Sequence, residues 1–243
     1  MKKKEWFAEW FNSPFYHILY KHRDNTEAQI FMKHLIDKLK IEPQHKIMDV
    51  GCGKGRHAIF LNQLGLEVLG VDLSPENIMY AQQFANERLT FAVHDMRMPY
   101  PSCCFDFIFN LFTSFGYFDT DEEHVQAIRS ISSSLKKGGI LVIDFFNTYH
   151  ILNTLPQIAE KTEEGVCFKT IKYLEKDFII KDIEITCHQQ KYYFQEKVKA
   201  LTEDNFLYYF SQTGLKVKEV FGDYQLNAFE KDKSDRMIWI LEK

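Results

Sequence analysis

What this sequence lacks narrows it before any motif is read. Its formal net charge is −4 over 243 residues, so no basic excess makes nucleic acid the default partner. No apolar run approaches a membrane-spanning length. The opening "MKKKEWFAEWF" is basic, but Glu5 and Glu9 break its apolar residues, which leaves no secretory h-region. Cysteine is sparse and odd in number: of the five, Cys103 and Cys104 are adjacent, while Cys52, Cys167 and Cys187 are scattered without zinc-ligand spacing. This argues against a disulfide framework and predicts reduced thiols in a cytoplasmic protein, with Cys52 and the adjacent pair as packing residues. Internal repeats and low-complexity linkers are absent as well. With 45% apolar and 26% charged residues, the chain can bury one good core and carry a modest insertion.

The patterning that is present is that of an α/β protein. "HKIMDV" (45–50) is a short buried run leading into glycines, and "RHAIFLNQLG" (56–65) then has helical spacing. "LEVLGVDLS" (66–74) predicts a second strand. A helix follows, with Ser74 as cap and Pro75 in the first turn. "LTFAVHD" (89–95), "FDFIFNLF" (105–112) and "ILVIDFFN" (140–147) predict three more strands. An amphipathic helix is expected over 119–139, acidic at its start and ending in lysines and glycines. Alternating strands and helices predict a doubly wound, mostly parallel sheet, whose ligands bind outside the carboxyl ends of the strands.

Two regions depart from this rhythm. Two or three helices precede the first strand, through about Lys40. After the fifth strand, residues 165–200 are rich in β-branched and aromatic side chains, with turns near Glu175–Asp177 and His188–Gln190, and predict an antiparallel meander. A helix over 201–214, capped by Thr202, and a final antiparallel strand pair complete a seven-stranded sheet. The expected division is a helical cap (1–40), a main domain (41–150 with 201–243) and a β-meander insertion (151–200) acting as a lid.

Chemistry is concentrated at Asp49-x-Gly51-x-Gly53-x-Gly55. Glycines after a buried strand let a ligand approach the backbone, and the helix that follows turns its unpaired N–H groups to the same space. A P-loop needs Ser or Thr after Gly-Lys, and here Lys54 is followed by Gly55. The dinucleotide fingerprint would place its third glycine at Arg56. An acid just before the glycines repels a pyrophosphate and suits a cation.

These residues, with Asp72 at the end of the second strand, resemble the cofactor site of class I S-adenosylmethionine-dependent methyltransferases. "VDLSPENI", "HDMRMPY" with "FDFIFNLFTSFGYF", and "SSSLKKGGILVIDFFN" resemble that family's later motifs in order. The resemblance implies S-adenosyl-L-methionine as cofactor. Gly51, Gly53 and Gly55 would pass under its methionine part, Asp49 would bond its ammonium group directly or through water, and Asp72 would take both ribose hydroxyls. Asp95 would sit at the adenine amino group between Leu73 and Met96, and Asn110 would face the methyl group. In similar enzymes an early helix covers the cofactor, which brings in Tyr20 and Arg23, the latter for the methionine carboxylate; a surface helix packed by its tyrosines is the alternative.

The resemblance also implies the reaction, in-line displacement of an activated methyl by a nitrogen or oxygen nucleophile, which alignment alone can drive. His150, His94 and Tyr117 are candidate catalytic groups for an acceptor that must lose a proton. Phe112, Phe115, Tyr117, Tyr149 and Tyr192 are candidates for the acceptor pocket, with Phe168, Tyr173 and Tyr193 either joining them or filling the meander's own core. There is no carboxylate cluster for a metal, and the N/D-P-P-Y signature of amino-methylating nucleic-acid enzymes is absent, the fourth strand ending in "NLFTSFGY". The expectation is therefore a small-molecule substrate, no nucleic acid, no membrane, and a monomer or homodimer. A tRNA or protein methyltransferase, and a cofactor-binding protein without transfer activity, remain open alternatives.

Overall fold

The computed structural model describes residues 6–21, 25–101 and 104–243. Three helices come first: α1 (Trp6–Phe11), α2 (Pro14–Leu19) and α3 (Asn25–Leu39). The central part then runs β1 (Lys46–Val50), α4 (Arg56–Gln63), β2 (Glu67–Asp72), α5 (Pro75–Ala81), β3 (Leu89–Val93), β4 (Phe105–Asn110), α6 (Asp121–Ser133) and β5 (Leu135–Phe146). A short α7 (Thr148–Thr154) leads into four strands: β6 (Gln157–Glu163), β7 (Val166–Glu175), β8 (Phe178–Cys187) and β9 (Gln190–Lys199). The chain closes with α8 (Glu203–Ser211), β10 (Lys216–Phe221) and β11 (Arg236–Glu242).

The seven-stranded sheet has the order β10-β11-β5-β4-β1-β2-β3. The β1–β2, β1–β4, β2–β3 and β4–β5 pairs are parallel, and β11 joins β5 and β10 antiparallel. β1 and β2 are buried along nearly their whole length because helices cover both faces. Local chemistry fixes the helix starts. Ser74 Oγ accepts the Asn77 N–H (3.1 Å) at the head of α5, and Thr120 forms a capping box with Glu123 at the head of α6.

The fold is that expected, and three boundaries shift. α6 stops at Ser133, and Leu135-Lys136-Lys137-Gly138-Gly139 belongs to β5. There it forms a bulge, Phe105 pairing with Leu135 and Phe107 already with Ile140, and Gly138 and Gly139 bond to Lys243, the residue after β11. Lysines before two glycines read as a helix end; tertiary pairing with the chain's last residue decided otherwise. The insertion is also larger than the expected meander: a fourth strand, β6, opens it at Gln157 and pairs with β7. α7 occupies the stretch that sequence patterning left unassigned. Among the described residues no helix is long and apolar enough to cross a membrane.

The α6/α8 face carries a buried histidine. His124 is fully buried, its Nδ1 meets Thr120 O (2.7 Å), its Nε2 has no partner, and its ring stacks on Tyr209 (centroids 5.5 Å, planes 7°). Burial, with Lys199 nearby, lowers its pKa to about 4. Because the folded pKa lies below the unfolded value, the folded state is unaffected above about pH 6.5 and loses stability as pH falls from there towards 4, by up to about 3 kcal/mol. His124→Phe should flatten that part of the stability–pH curve measured by urea denaturation. An acid limb identical to wild type would show that His124 contributes nothing to it.

Candidate functional site

A cavity of about 770 Å³ opens outside the carboxyl ends of the parallel strands. Its first wall is built by the β1–α4 and β2–α5 turns. Asp72 ends β2 with its carboxylate pinned by two backbone donors, Gly53 N–H to Oδ2 (2.9 Å) and Ser74 N–H to Oδ1 (2.8 Å). Burial raises its pKa, while those two N–H groups and Asn77 oppose the rise. Gly51, Gly53, Leu73, Asp95 and Met96 line the same wall. Arg97 holds the Asp95 carboxylate in a fork (Nε 3.1 Å, Nη2 2.7 Å) and reaches Glu123 with its Nη1 (3.0 Å).

The second wall is the loop after β4. Phe112 and Thr113 both have positive φ, 54° and 63°. Asp144, fully buried on β5, holds this pair: its Oδ2 accepts the Phe112 N–H (2.7 Å) and its main-chain oxygen accepts the Thr113 N–H (3.1 Å). Arg236 at the start of β11 completes the clamp, Nε to Asp144 Oδ1 (2.8 Å) and Nη2 to Thr113 Oγ1 (3.0 Å). His57 stacks on Phe112 (4.7 Å, 15°), with Arg56 over the same ring. Burial and the Arg56 charge lower the His57 pKa to about 3, so the imidazole is neutral.

The third wall comes from the N-terminal helices and the insertion. Tyr16, His17 and Tyr20 line the cavity together with Lys172, Ile179, Lys181, Glu196 and Val198 of the insertion. Ser74 donates its hydroxyl proton to Asn12 Oδ1 (2.6 Å), and Trp10 Nε1 donates to Glu196 (2.7 Å), so the segment carrying α1 and α2 bridges the β2–α5 turn and the insertion. Lys199 N–H donates to Gly116 O (2.8 Å), docking the end of β9 on the second wall.

Three comparisons bear on this geometry. Residues 47–139 match the family of the methyltransferase domain. The chain superposes on an S-adenosylmethionine-dependent methyltransferase from Clostridium acetobutylicum with a TM-score of 0.81, at 18% identity, covering 94% of this chain and 97% of that one. Residues 47–139 thus carry a methyltransferase domain. The sugar N-methyltransferase KedS8 of Streptoalloteichus has the same fold (TM-score 0.71, 18% identity, 94% and 93% covered). Glycine N-methyltransferase of Oryctolagus cuniculus is 30% identical over 138 residues, 49% of this chain and 47% of that enzyme. The chain thus spans about half the length of that curated relative.

The residues singled out from sequence divide. Gly51, Gly53, Asp72, Leu73, Asp95, Met96, Tyr20, Phe112, Tyr117 and His94 line the cavity, although His94 Nε2 is engaged with Met98 O (2.9 Å). Others do not reach it. Asp49 is 2% exposed behind the turn, takes the Ala58 N–H and does not line the cavity. Burial first, then repulsion from Asp72, raises its pKa to about 7, and its Oδ2 has no partner. Asn110 is fully buried with its amide donating to Val50 O (2.9 Å). Gly55 sits against Phe91 rather than the cavity. Phe115 is a core residue among Phe118, His124 and Phe206.

The insertion's aromatics also sort by burial. Tyr192 packs at a tilt against Phe15 outside the cavity (centroids 4.8 Å, planes 47°) and Phe168 fills the insertion's core, while Tyr193 is 67% exposed. Burial raises the Tyr173 pKa, and a hydrogen bond to Asp182 adds to the rise; neither residue lines the cavity. Tyr149 lies beneath Lys231, and His150 is 3.5 Å from Asp235; both are outside the wall because α7 turns that face to solvent. Arg23 and Cys103 lie outside the described residues. Sequence reasoning missed Arg236, Lys172, Lys181 and Glu196 as wall residues. Nothing local marks them: each reaches the cavity through strand pairing with residues distant in sequence.

Proposed function

We propose that the chain transfers the methyl group of S-adenosylmethionine to a nitrogen or oxygen nucleophile of a small molecule. One observation carries the reading: a single cavity runs from the Asp72 wall to Phe112, Tyr117 and Phe118 and is bounded by the insertion, and its volume lies in the range of small-molecule sites. The residues fit the cofactor. Asp72 presents two carboxylate oxygens already oriented by Gly53 and Ser74, suited to a diol. Asp49 leaves a buried, unpartnered carboxylate oxygen under the turn, which a cation above the turn would compensate. Gly53 offers open space where a side chain would otherwise project.

When bound, the cofactor supplies a methyl group already activated by a sulfonium. The chain's part is to align and to exclude water. Phe112, Tyr117 and Phe118 supply an apolar surface beside the β4 end, and Ile179 and Val198 close it from the insertion. Two histidines of the wall are poor bases: His57 is held neutral, and burial, reinforced by Lys54, lowers the His17 pKa. An amine acceptor therefore enters deprotonated, and alignment of its lone pair supplies the rate. The relatives named as a glycine and a sugar N-methyltransferase favour nitrogen as the nucleophile.

Calorimetry tests the cofactor half of this reading. The wild type should bind S-adenosylmethionine and S-adenosylhomocysteine, and Asp72→Ala should weaken both by about 1.5–3 kcal/mol, the scale of lost charge-assisted hydrogen bonds. Binding of NAD instead, or equal affinity in the variant, would sink it. Labelled methyl transfer to a panel of amines, acids and phenols, with bulk tRNA as a further arm, then identifies the acceptor class.

A further inference from the structure

Arg56 and His57 are the first two residues of α4, and consecutive helical residues do not ordinarily face each other. Here the Phe112 ring draws them together. The imidazole stacks on it (4.7 Å, 15°), the guanidinium carbon lies 5.2 Å from its centroid, and Arg56 Nη2 is 3.0 Å from His57 Nε2. Phe112 is itself fixed. Asp144 accepts its N–H (2.7 Å), and its ring packs against Phe31 (6.0 Å, 78°) and Tyr224 (5.1 Å, 43°). The histidine ring is therefore held both in its plane and at one of its nitrogens.

That contact decides the tautomer. A guanidinium has N–H donors and no acceptor, so the Nε2 facing it is the bare nitrogen of the ring. The imidazole is neutral, since burial and the Arg56 charge hold its pKa at about 3. Its one proton therefore sits on Nδ1. His57 lines the cavity, and its Nδ1 has no hydrogen-bond partner among the described residues. An N–H with no acceptor in the protein is best satisfied by a ligand oxygen that can only accept. Arg56 adds a positive charge at the same ring, as its effect on the His57 pKa shows, and this favours an oxygen carrying negative charge.

We infer that Arg56 locks His57 in the Nδ1–H tautomer, and that this N–H donates to a carboxylate oxygen of a bound ligand. The carboxylate is that of the cofactor's methionine part or one on the methyl acceptor. The identity of the ligand rests on the methyltransferase reading; the tautomer does not. Arg56 is then a positioning residue, and His57 orients a ligand without taking a proton from it.

Long-range proton–nitrogen NMR of the full-length protein reads the tautomer directly. At about pH 7 the ligand-free wild type should carry the His57 proton on Nδ1 alone, and Arg56→Met should admit the Nε2–H form. Addition of S-adenosylhomocysteine should move the Nδ1–H signal. Calorimetry should find this ligand about tenfold weaker in His57→Phe, which keeps a ring on Phe112 but has no donor. Methylthioadenosine, which shares the adenosine and the thioether but has no carboxylate, should bind both proteins alike. That pattern assigns the N–H to the cofactor. If S-adenosylhomocysteine leaves the signal unmoved and glycine added to that complex moves it, the N–H serves a carboxylate on the acceptor. An Nε2–H or doubly protonated ring in the wild type overturns the inference, as does a signal that neither addition moves. So does a His57→Phe variant that weakens methylthioadenosine as much as S-adenosylhomocysteine, the mark of a merely structural role. Failure of the wild type to bind S-adenosylhomocysteine would instead defeat the methyltransferase reading and the ligand half of this inference, leaving the tautomer to be decided by the ligand-free spectrum.

Discussion

Arg236→Met should lose about 3–5 kcal/mol of folding stability, the usual result of removing one partner from a buried ion pair. Asp144 is fully buried, and the Arg236 side chain is 16% exposed. Without the guanidinium, Asp144 keeps a charge that only the Phe112 N–H and, more distantly, the Tyr224 hydroxyl (3.4 Å) can stabilise. The effect extends beyond the pair. Phe112 and Thr113 adopt left-handed backbone, each at a cost on the order of 1–3 kcal/mol, and the Asp144–Arg236 clamp is what holds them there. The variant should therefore also displace Phe112 from the cavity wall and weaken acceptor binding. Urea denaturation of Arg236→Met, Asp144→Leu and the double variant provides the cycle. The double variant should be more stable than the sum of the singles, because it removes the orphaned charge. It should not recover fully, since the Phe112 N–H then has no acceptor. A single-variant loss under about 1 kcal/mol would mean that the pair behaves as a surface contact.

Gly55→Ala and Gly53→Ala should separate two glycines that look equivalent in the sequence. Both have positive φ, 82° and 54°. A Cβ on Gly55 would lie 2.7 Å from Phe91 Cε1 and 3.2 Å from the Ala81 Cβ, whereas one on Gly53 meets nothing within 4 Å. Gly55→Ala thus adds overpacking of about 1–3 kcal/mol to backbone strain of similar size, for a total of about 2–6 kcal/mol. It also disturbs the start of α4, where Gly55 is the N-cap. Gly53→Ala should cost only the strain, about 1–2 kcal/mol, but place a methyl group in the cavity and weaken S-adenosylhomocysteine. Chemical denaturation paired with calorimetry distinguishes them. Equal stability losses, or a Gly53 variant with unaltered ligand affinity, would contradict the assignment of one glycine to the core and the other to the cavity.

Much of this architecture was legible in the sequence because it is written in local chemistry. Strands buried on both faces are continuous apolar runs, Ser74-Pro75 and Thr120 with Glu123 mark helix starts, and the turns at Lys176 and His188–Gln189 fall at polar breaks in a β-rich stretch. The Asp49–Gly55 turn and Asp72 were visible for the same reason: strand, glycines and helix lie within a few residues, and the next strand ends in a carboxylate. The sequence alone therefore determined the fold class, the order of the sheet-forming elements of the main domain and the end of the sheet at which the cavity opens. Only the tertiary structure decided which motif residues touch that ligand space. Asp49, Asn110 and Gly55 lie behind the wall, because a strand end shows one face to the cavity and the other to the core. It also decided which distant residues meet: Arg236 reaches Asp144 across the β5–β11 pair, and Lys172 meets Lys181 through the β7–β8 register. A one-residue slip in that register would turn one of the two lysines to the other face. Register comes from pairing between strands and from the burial of a whole face, and neither is stated by any residue on its own.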